Sequence, residues 1–204
     1  MPLIRRDAQP APAADPAAAD LERGTIDERW AAARRLAGRA DAAARLGQAL
    51  AAETSDQVRE AMFTSLVQTG GRAGVEAVLP HLKADDAALR TGALDALKAM
   101  PGAARDHLPA LLADPDADVR ILACELARAV PGAQAAGLLA GLIAAEPDVN
   151  VCAAAIDVLA EIGTPDQGAA LATCLARFSG QPFLAFAVKV ALRRIGVQAP
   201  SGHG

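Results

Sequence analysis

The chain has 204 residues, 52% of them hydrophobic but only 2% aromatic, with no tyrosine and a formal net charge of −4. The apolar content is mostly Ala and Leu, the best helix formers among apolar residues, while β-branched and aromatic residues are sparse, which argues against strands and against a thick aromatic core. The acidic balance argues against a nucleic-acid binder, no apolar run approaches the roughly 18 residues of a membrane span, and no apolar segment of a secretory signal follows Arg5 and Arg6.

Residues 1–20 are rich in Ala and Pro (Pro2, Pro10, Pro12, Pro16) and offer little to bury, so they read as a disordered arm. Within the arm, Leu3-Ile4-Arg5-Arg6 is a candidate docking motif. From residue 21 to 196 the sequence repeats. Twelve-residue stretches run from an aliphatic start to a Gly or Pro stop, beginning at Val58, Leu89, Val119, Val151 and Leu184, with a weaker copy at Glu28-Arg29. Repetition at about 30 residues is the signature of a stacked array, in which each unit buries its apolar face only against its neighbours.

Each copy has a helical period. Val119, Leu122, Ala123, Leu126 and Val130 share one helix face, and Val151, Ala154, Ala155, Val158 and Ile162 repeat the arrangement. Ser55, Asp86, Asp116 and Asp148 stand three residues before the aliphatic starts, where a side-chain oxygen can cap a helix. The intervals predict a partner helix in each unit: about Ala40–Ala52, Arg72–Lys83, Ala103–Ala113, Ala133–Ala145 and Gln167–Phe178. Residues 197–204 read as a flexible tail. The expected fold is therefore all-α: a right-handed α-solenoid of about five helix pairs plus an N-terminal half-repeat.

The stretch Asp114-Pro115-Asp116-Ala117-Asp118-Val119-Arg120, followed by Ala123 and Leu126, resembles the turn and second helix of HEAT repeats, in the short variety also seen in phycobilisome-lyase-like proteins. Pro80 and Pro109 match the proline that bends the first helix in that family. The resemblance covers roughly Asp27 to Gly196. It implies that the second helices line the concave side and that Arg59, Arg90 and Arg120 form a ladder to capping acids or turn carbonyls of neighbouring repeats. Cys152 and Ala185 depart from the ladder, so the last two repeats are expected to rely on apolar packing.

Chemistry-bearing motifs are not found. His81, His107 and His203 have no helical-spaced partner for a metal site, and the paired His-Glu motifs of HEAT-like hydroxylases are lacking. There is no phosphate loop and no nucleophile elbow. Cys124, Cys152 and Cys174, odd in number and unmotivated in spacing, read as small buried hydrophobes in a reducing cytoplasm. No catalytic residue, metal, cofactor or small-molecule substrate is predicted.

The face of the second helices turned away from the core is more informative. It carries an acidic row, Asp95, Glu125 and Asp157, flanked by Lys98 and Arg128, with Ile121 beside it and the aromatics Trp30 and Phe186 towards its ends. These residues, Trp30 apart, are the candidate partner-binding set. The competing reading is a solvated face whose charges pair locally. Trp30 is expected to pack as a cap on the first repeat. The functional expectation is a non-catalytic, protein-binding scaffold or adaptor in the cytoplasm, with a bacterial signalling or assembly partner. The alternatives are a lyase-like or chaperone-like protein handling a client's chromophore or cofactor, and, more weakly, a nucleic-acid binder.

Overall fold

A computed structural model describes residues 16–131 and 133–197, so Leu3–Arg6 and the last residues of the tail lie outside the described residues. In chain order the helices are α1 (Pro16–Arg23), α2 (Ile26–Arg35), α3 (Ala40–Ala52), α4 (Asp56–Thr69), α5 (Gly71–Val78) and α6 (Ala87–Lys98). They continue as α7 (Pro101–Ala104), α8 (Leu108–Leu112), α9 (Ala117–Ala129), α10 (Ala133–Ala145), α11 (Val149–Ile162), α12 (Gly168–Arg177) and α13 (Pro182–Arg194). No strand occurs among the described residues. The fold is all-α, an α-solenoid. One layer stacks the second helices α2, α4, α6, α9, α11 and α13; the other stacks the first helices α3, α5, α8, α10 and α12.

The predicted starts and stops have the expected local causes. The carboxylates of Asp86, Asp116 and Asp148 accept backbone N–H bonds in the first turns of α6, α9 and α11. Ser55 occupies the same position before α4 without using its hydroxyl; the Glu53 carboxylate accepts from the N–H groups of Thr54 and Ser55 instead. The first helices that hold Pro80 and Pro109 are broken there. Pro80 lies in a 3₁₀ segment, Leu79–Lys83, and Pro109 opens α8 after the 3₁₀ turn Arg105–His107, because a proline ring cannot continue the preceding hydrogen-bond ladder.

The N-terminal end is more structured than its composition suggests. Helix α1 takes up residues 16–20 of the expected arm and packs on α2, with Ala17 and Leu21 buried. It completes the half-repeat into a pair. Leu21, not Trp30, covers the first repeat: Trp30 stays 36% exposed, with the Arg34 guanidinium 5.1 Å from its ring centre.

Core packing combines Leu, Val and Ala with close backbone approach. Val58, Met62 and Leu66 on α4, and Val119, Ala123 and Leu126 on α9, are fully buried. Helices α3 and α5 approach so closely that a Cβ on Gly47 would stand 2.6 Å from the Ala77 carbonyl oxygen.

Candidate protein-binding face

The arginines at the second position of the repeat make unlike contacts. Arg59 donates from Nε to the Glu53 carbonyl at 2.7 Å and places its other end 2.7 Å from the Asp86 carboxylate of the next repeat. Arg120 is a two-pronged clamp: Nε and a terminal nitrogen each reach Glu146 at 2.9 Å, while the other terminal nitrogen donates to the carbonyls of Asp114 and Pro115. Arg90 reaches only the carbonyls of Ala84 and Asp85 in its own turn. The reason lies two residues before the cap of the following repeat. Arg120 meets Glu146 there, Arg59 meets Ala84 and turns to Asp86 instead, and Arg90 meets the shorter Asp114, which Lys83 already holds at 2.7 Å.

Two further arginines make contacts of the same kind. Arg29 forks onto Glu53 at 2.7 and 3.0 Å. Where Cys152 interrupts the series, Arg177 enters from the end of α12 and donates to the carbonyls of Ile143, Ala144 and Glu146. The fourth repeat interface is therefore polar as well as apolar. Glu53 and Glu146 are the buried acids of these clamps, each with 3% of its side chain exposed. Arg29, with help from the Ser55 and Thr54 N–H groups, holds the Glu53 carboxyl below its ordinary pKa.

On the outward face, Glu125 and Asp157 are bridged rather than free. Arg128 lies 3.3 Å from Glu125 and 2.9 Å from Asp157, and it also pairs with Glu161; Lys98 is 3.9 Å from Glu125. This chain of ion pairs ties α6, α9 and α11 across their outer surfaces. The Asp157 carboxylate, then Glu161, raise the Arg128 pKa further above its ordinary value. Asp95 is exposed and has no ion pair among the described residues.

Asp95 belongs to a different feature. Between α4 and α6 opens a pocket of about 520 Å³ with Phe63, Val67, Ala96 and Ala99 as its apolar floor and Asp56, Glu60 and Asp95 at its rim. The volume falls within the roughly 300–1,000 Å³ of ligand pockets. The floor exists because the sequence pairs a large residue with a missing one: a Cβ on Gly92 would lie 2.4 Å from the Phe63 ring. Farther along, Ile121 on α9 is half-buried, and Phe186 on α13 is 70% exposed, beside Phe183 at 50%.

The histidines and cysteines sit elsewhere. His81 is buried, its Nε2 donating to the Gly47 carbonyl at 3.0 Å, and burial lowers its pKa. Cys124, Cys152 and Cys174 are buried. Burial pushes the Cys124 thiol up to about 12, and hydrogen bonding to Cys174, together with burial, raises that of Cys152. The Cys124 and Cys152 thiols are therefore not nucleophiles at neutral pH. Among the described residues no group of three or more His, Cys, Asp or Glu side chains is placed to hold a metal ion. No helix of the described residues is long and apolar enough to cross a membrane.

Stacked helix pairs, capping acids and an arginine ladder define a HEAT-like α-solenoid. The family model of HEAT repeats matches residues 105–181, from the 3₁₀ turn after α7 through α12. Among solved structures, the chain is similar to a designed armadillo repeat protein at 16% identity and a TM-score of 0.43, over 88% of this chain and 98% of that one. It is similar to an engineered protein of a structural genomics consortium at 19% identity and a TM-score of 0.42, over 88% of this chain and 94% of that one. It is also similar to the complex of CpcE and CpcF of phycocyanin lyase from Nostoc sp. PCC7120 at 17% identity and a TM-score of 0.34, over 96% of this chain and 98% of that one. No curated protein sequence matches the chain.

Proposed function

We propose that the chain is a non-catalytic scaffold or adaptor that holds a protein partner along the face of its second helices. The observation that carries this reading is the α4–α6 pocket, an apolar floor ringed by the carboxylates of Glu60 and Asp95, which have no ion pair among the described residues. Apolar surface with a polar rim is the anatomy of a protein-recognition patch. On this reading Asp95 contacts the partner directly. Glu125, Asp157, Lys98 and Arg128 fix the spacing of the repeats and present their residual charge, and Ile121 and Phe186 add apolar contact beyond the pocket.

The test is site-specific photocrosslinking in cells. A photoreactive residue at Thr64 or Thr91 on the second-helix face should yield an adduct with a discrete protein; one at Arg45 or Ala169, exposed on the first helices, should not. Adducts formed equally from both faces, or only from the first helices, would overturn the assignment.

A further inference from the structure

The pocket between α4 and α6 asks for a ligand of particular chemistry. Its floor, with Phe63 and Val67, is apolar, and Asp56, Glu60 and Asp95 ring it. Among the described residues the one cation lining it is already committed: Arg59 lies 2.7 Å from the Asp86 carboxylate and donates from Nε to the Glu53 carbonyl. A complementary ligand therefore offers one or two aliphatic side chains followed directly by uncommitted positive charge.

The chain carries such a segment in Leu3-Ile4-Arg5-Arg6, outside the described residues. The other segment outside them at the far end, residues 198–204, has no Lys or Arg and no aliphatic residue larger than Ala. Reach permits the contact. Ile4 stands twelve residue steps before Pro16, the first residue of α1, and twelve extended steps span up to about 40 Å. Helix α1 packs on α2, α2 on α4 and α4 on α6. At roughly 8–10 Å between packed helices, the pocket lies about 20–30 Å away.

We infer that Leu3–Arg6 docks in cis into the α4–α6 pocket, with the aliphatic pair over Phe63 and Val67 and the two guanidinium groups against Glu60 and Asp95. The inference deepens the proposed function, since it places an internal ligand on the partner face. A partner of similar chemistry then has to displace the segment, which makes the N-terminus an autoinhibitory element. Tethering favours this arrangement, because a short connection presents the segment at an effective concentration of the order of millimolar.

The experiment uses the full chain with cysteine pairs under mild oxidation; the native cysteines are buried. Ile4→Cys with Thr64→Cys, at the pocket, should form an intramolecular disulfide at least about tenfold faster than Ile4→Cys with Arg45→Cys on the exposed side of α3, given that tethering. Adding Arg5→Glu and Arg6→Glu to the first pair should remove the advantage, and raised salt should reduce it. Equal rates for the two pairs, or no effect of the charge reversal, would overturn the inference. A disulfide-linked dimer as the main product would also overturn it, because the occupant would then be a second copy. The photocrosslinking test reads a separate protein in cells. Adducts there without cis trapping here sink only the autoinhibitory contact, and cis trapping without adducts sinks only the adaptor reading.

Discussion

Replacing Arg120 by Ala removes the guanidinium that neutralises Glu146. The two side chains are 13% and 3% exposed and share a two-pronged contact at 2.9 Å. Without Arg120 the carboxylate keeps, among the described residues, the Asp148 N–H at 2.9 Å. Removing one partner of a buried pair costs roughly 3–5 kcal/mol, and the small exposure of Arg120 puts the expected loss near the low end, about 3 kcal/mol. Arg90→Ala loses two carbonyl bonds and strands no charge, so about 1–2 kcal/mol is expected. Arg193, exposed and without an ion pair among the described residues, should cost less than about 0.5 kcal/mol as Ala. The assay is urea unfolding followed by circular dichroism. A double-mutant cycle of Arg120→Ala with Glu146→Gln should give a coupling energy of about 2 kcal/mol. The reasoning fails if Arg120→Ala costs no more than Arg90→Ala, or if the coupling is near zero.

Gly47→Ala gains about 1 kcal/mol of helix propensity but forces a Cβ against the Ala77 carbonyl, so overpacking of roughly 1–3 kcal/mol should leave it destabilised; Gly137→Ala and Gly141→Ala, whose Cβ positions on α10 are open, should instead raise the melting temperature. Acid unfolding reports on Glu53. Its folded pKa is lowered, so its contribution is complete above the unfolded value and disappears as pH falls through the folded one. Stability measured between pH 6 and 3 should accordingly fall less steeply in Glu53→Gln than in the parent, and parallel curves would contradict the clamp. A chain beginning at Gly24 loses Leu21, Ala17 and the 2.7 Å Asp20–Arg35 contact, and should be about 2–3 kcal/mol less stable, mostly from the Leu side chain; an unchanged urea midpoint would show that α1 is not part of the folded unit.

The repeat was legible because its apolar spacing, capping acids and Gly or Pro stops all point to one fold. Helices α3 and α10 run between the same residues that the pattern predicts. Helix α1 was hidden because an Ala-rich segment beside prolines looks unable to bury anything, and only Leu21 supplies a large apolar side chain. The arginine ladder could be placed from sequence, but its acids could not. Glu53 and Glu146 end first helices, where a carboxylate ordinarily faces water, and the available signal was their recurrence two residues before a cap. Arg177 escaped notice because it reaches the ladder from the other helix layer. The acidic row was read from helical phase alone, which gives direction but not reach. Arg128 is long enough to bridge neighbours, and so turns part of that row into a strut. The pocket rests on a size match between Phe63 and Gly92 in different repeats, which no single repeat displays.

That Lys83, not Arg90, holds Asp114 has a mechanical consequence. Joints bridged by a forked guanidinium–carboxylate contact resist twisting, because two parallel hydrogen bonds fix an orientation as well as a distance. Between the repeats of α6 and α9 that fork is missing. The links there are Lys83 to Asp114 at 2.7 Å and Lys98 to Glu125 at 3.9 Å, point charges on flexible stems. Helices α6 and α9 also pack less extensively than any other neighbouring pair of second helices. The α6–α9 joint should therefore yield more readily than the two joints that Arg29–Glu53 and Arg120–Glu146 forks hold. Bending concentrated there would change the span between the pocket at α4–α6 and the exposed phenylalanines of α13, letting one chain grip ligands of different length without remaking either end.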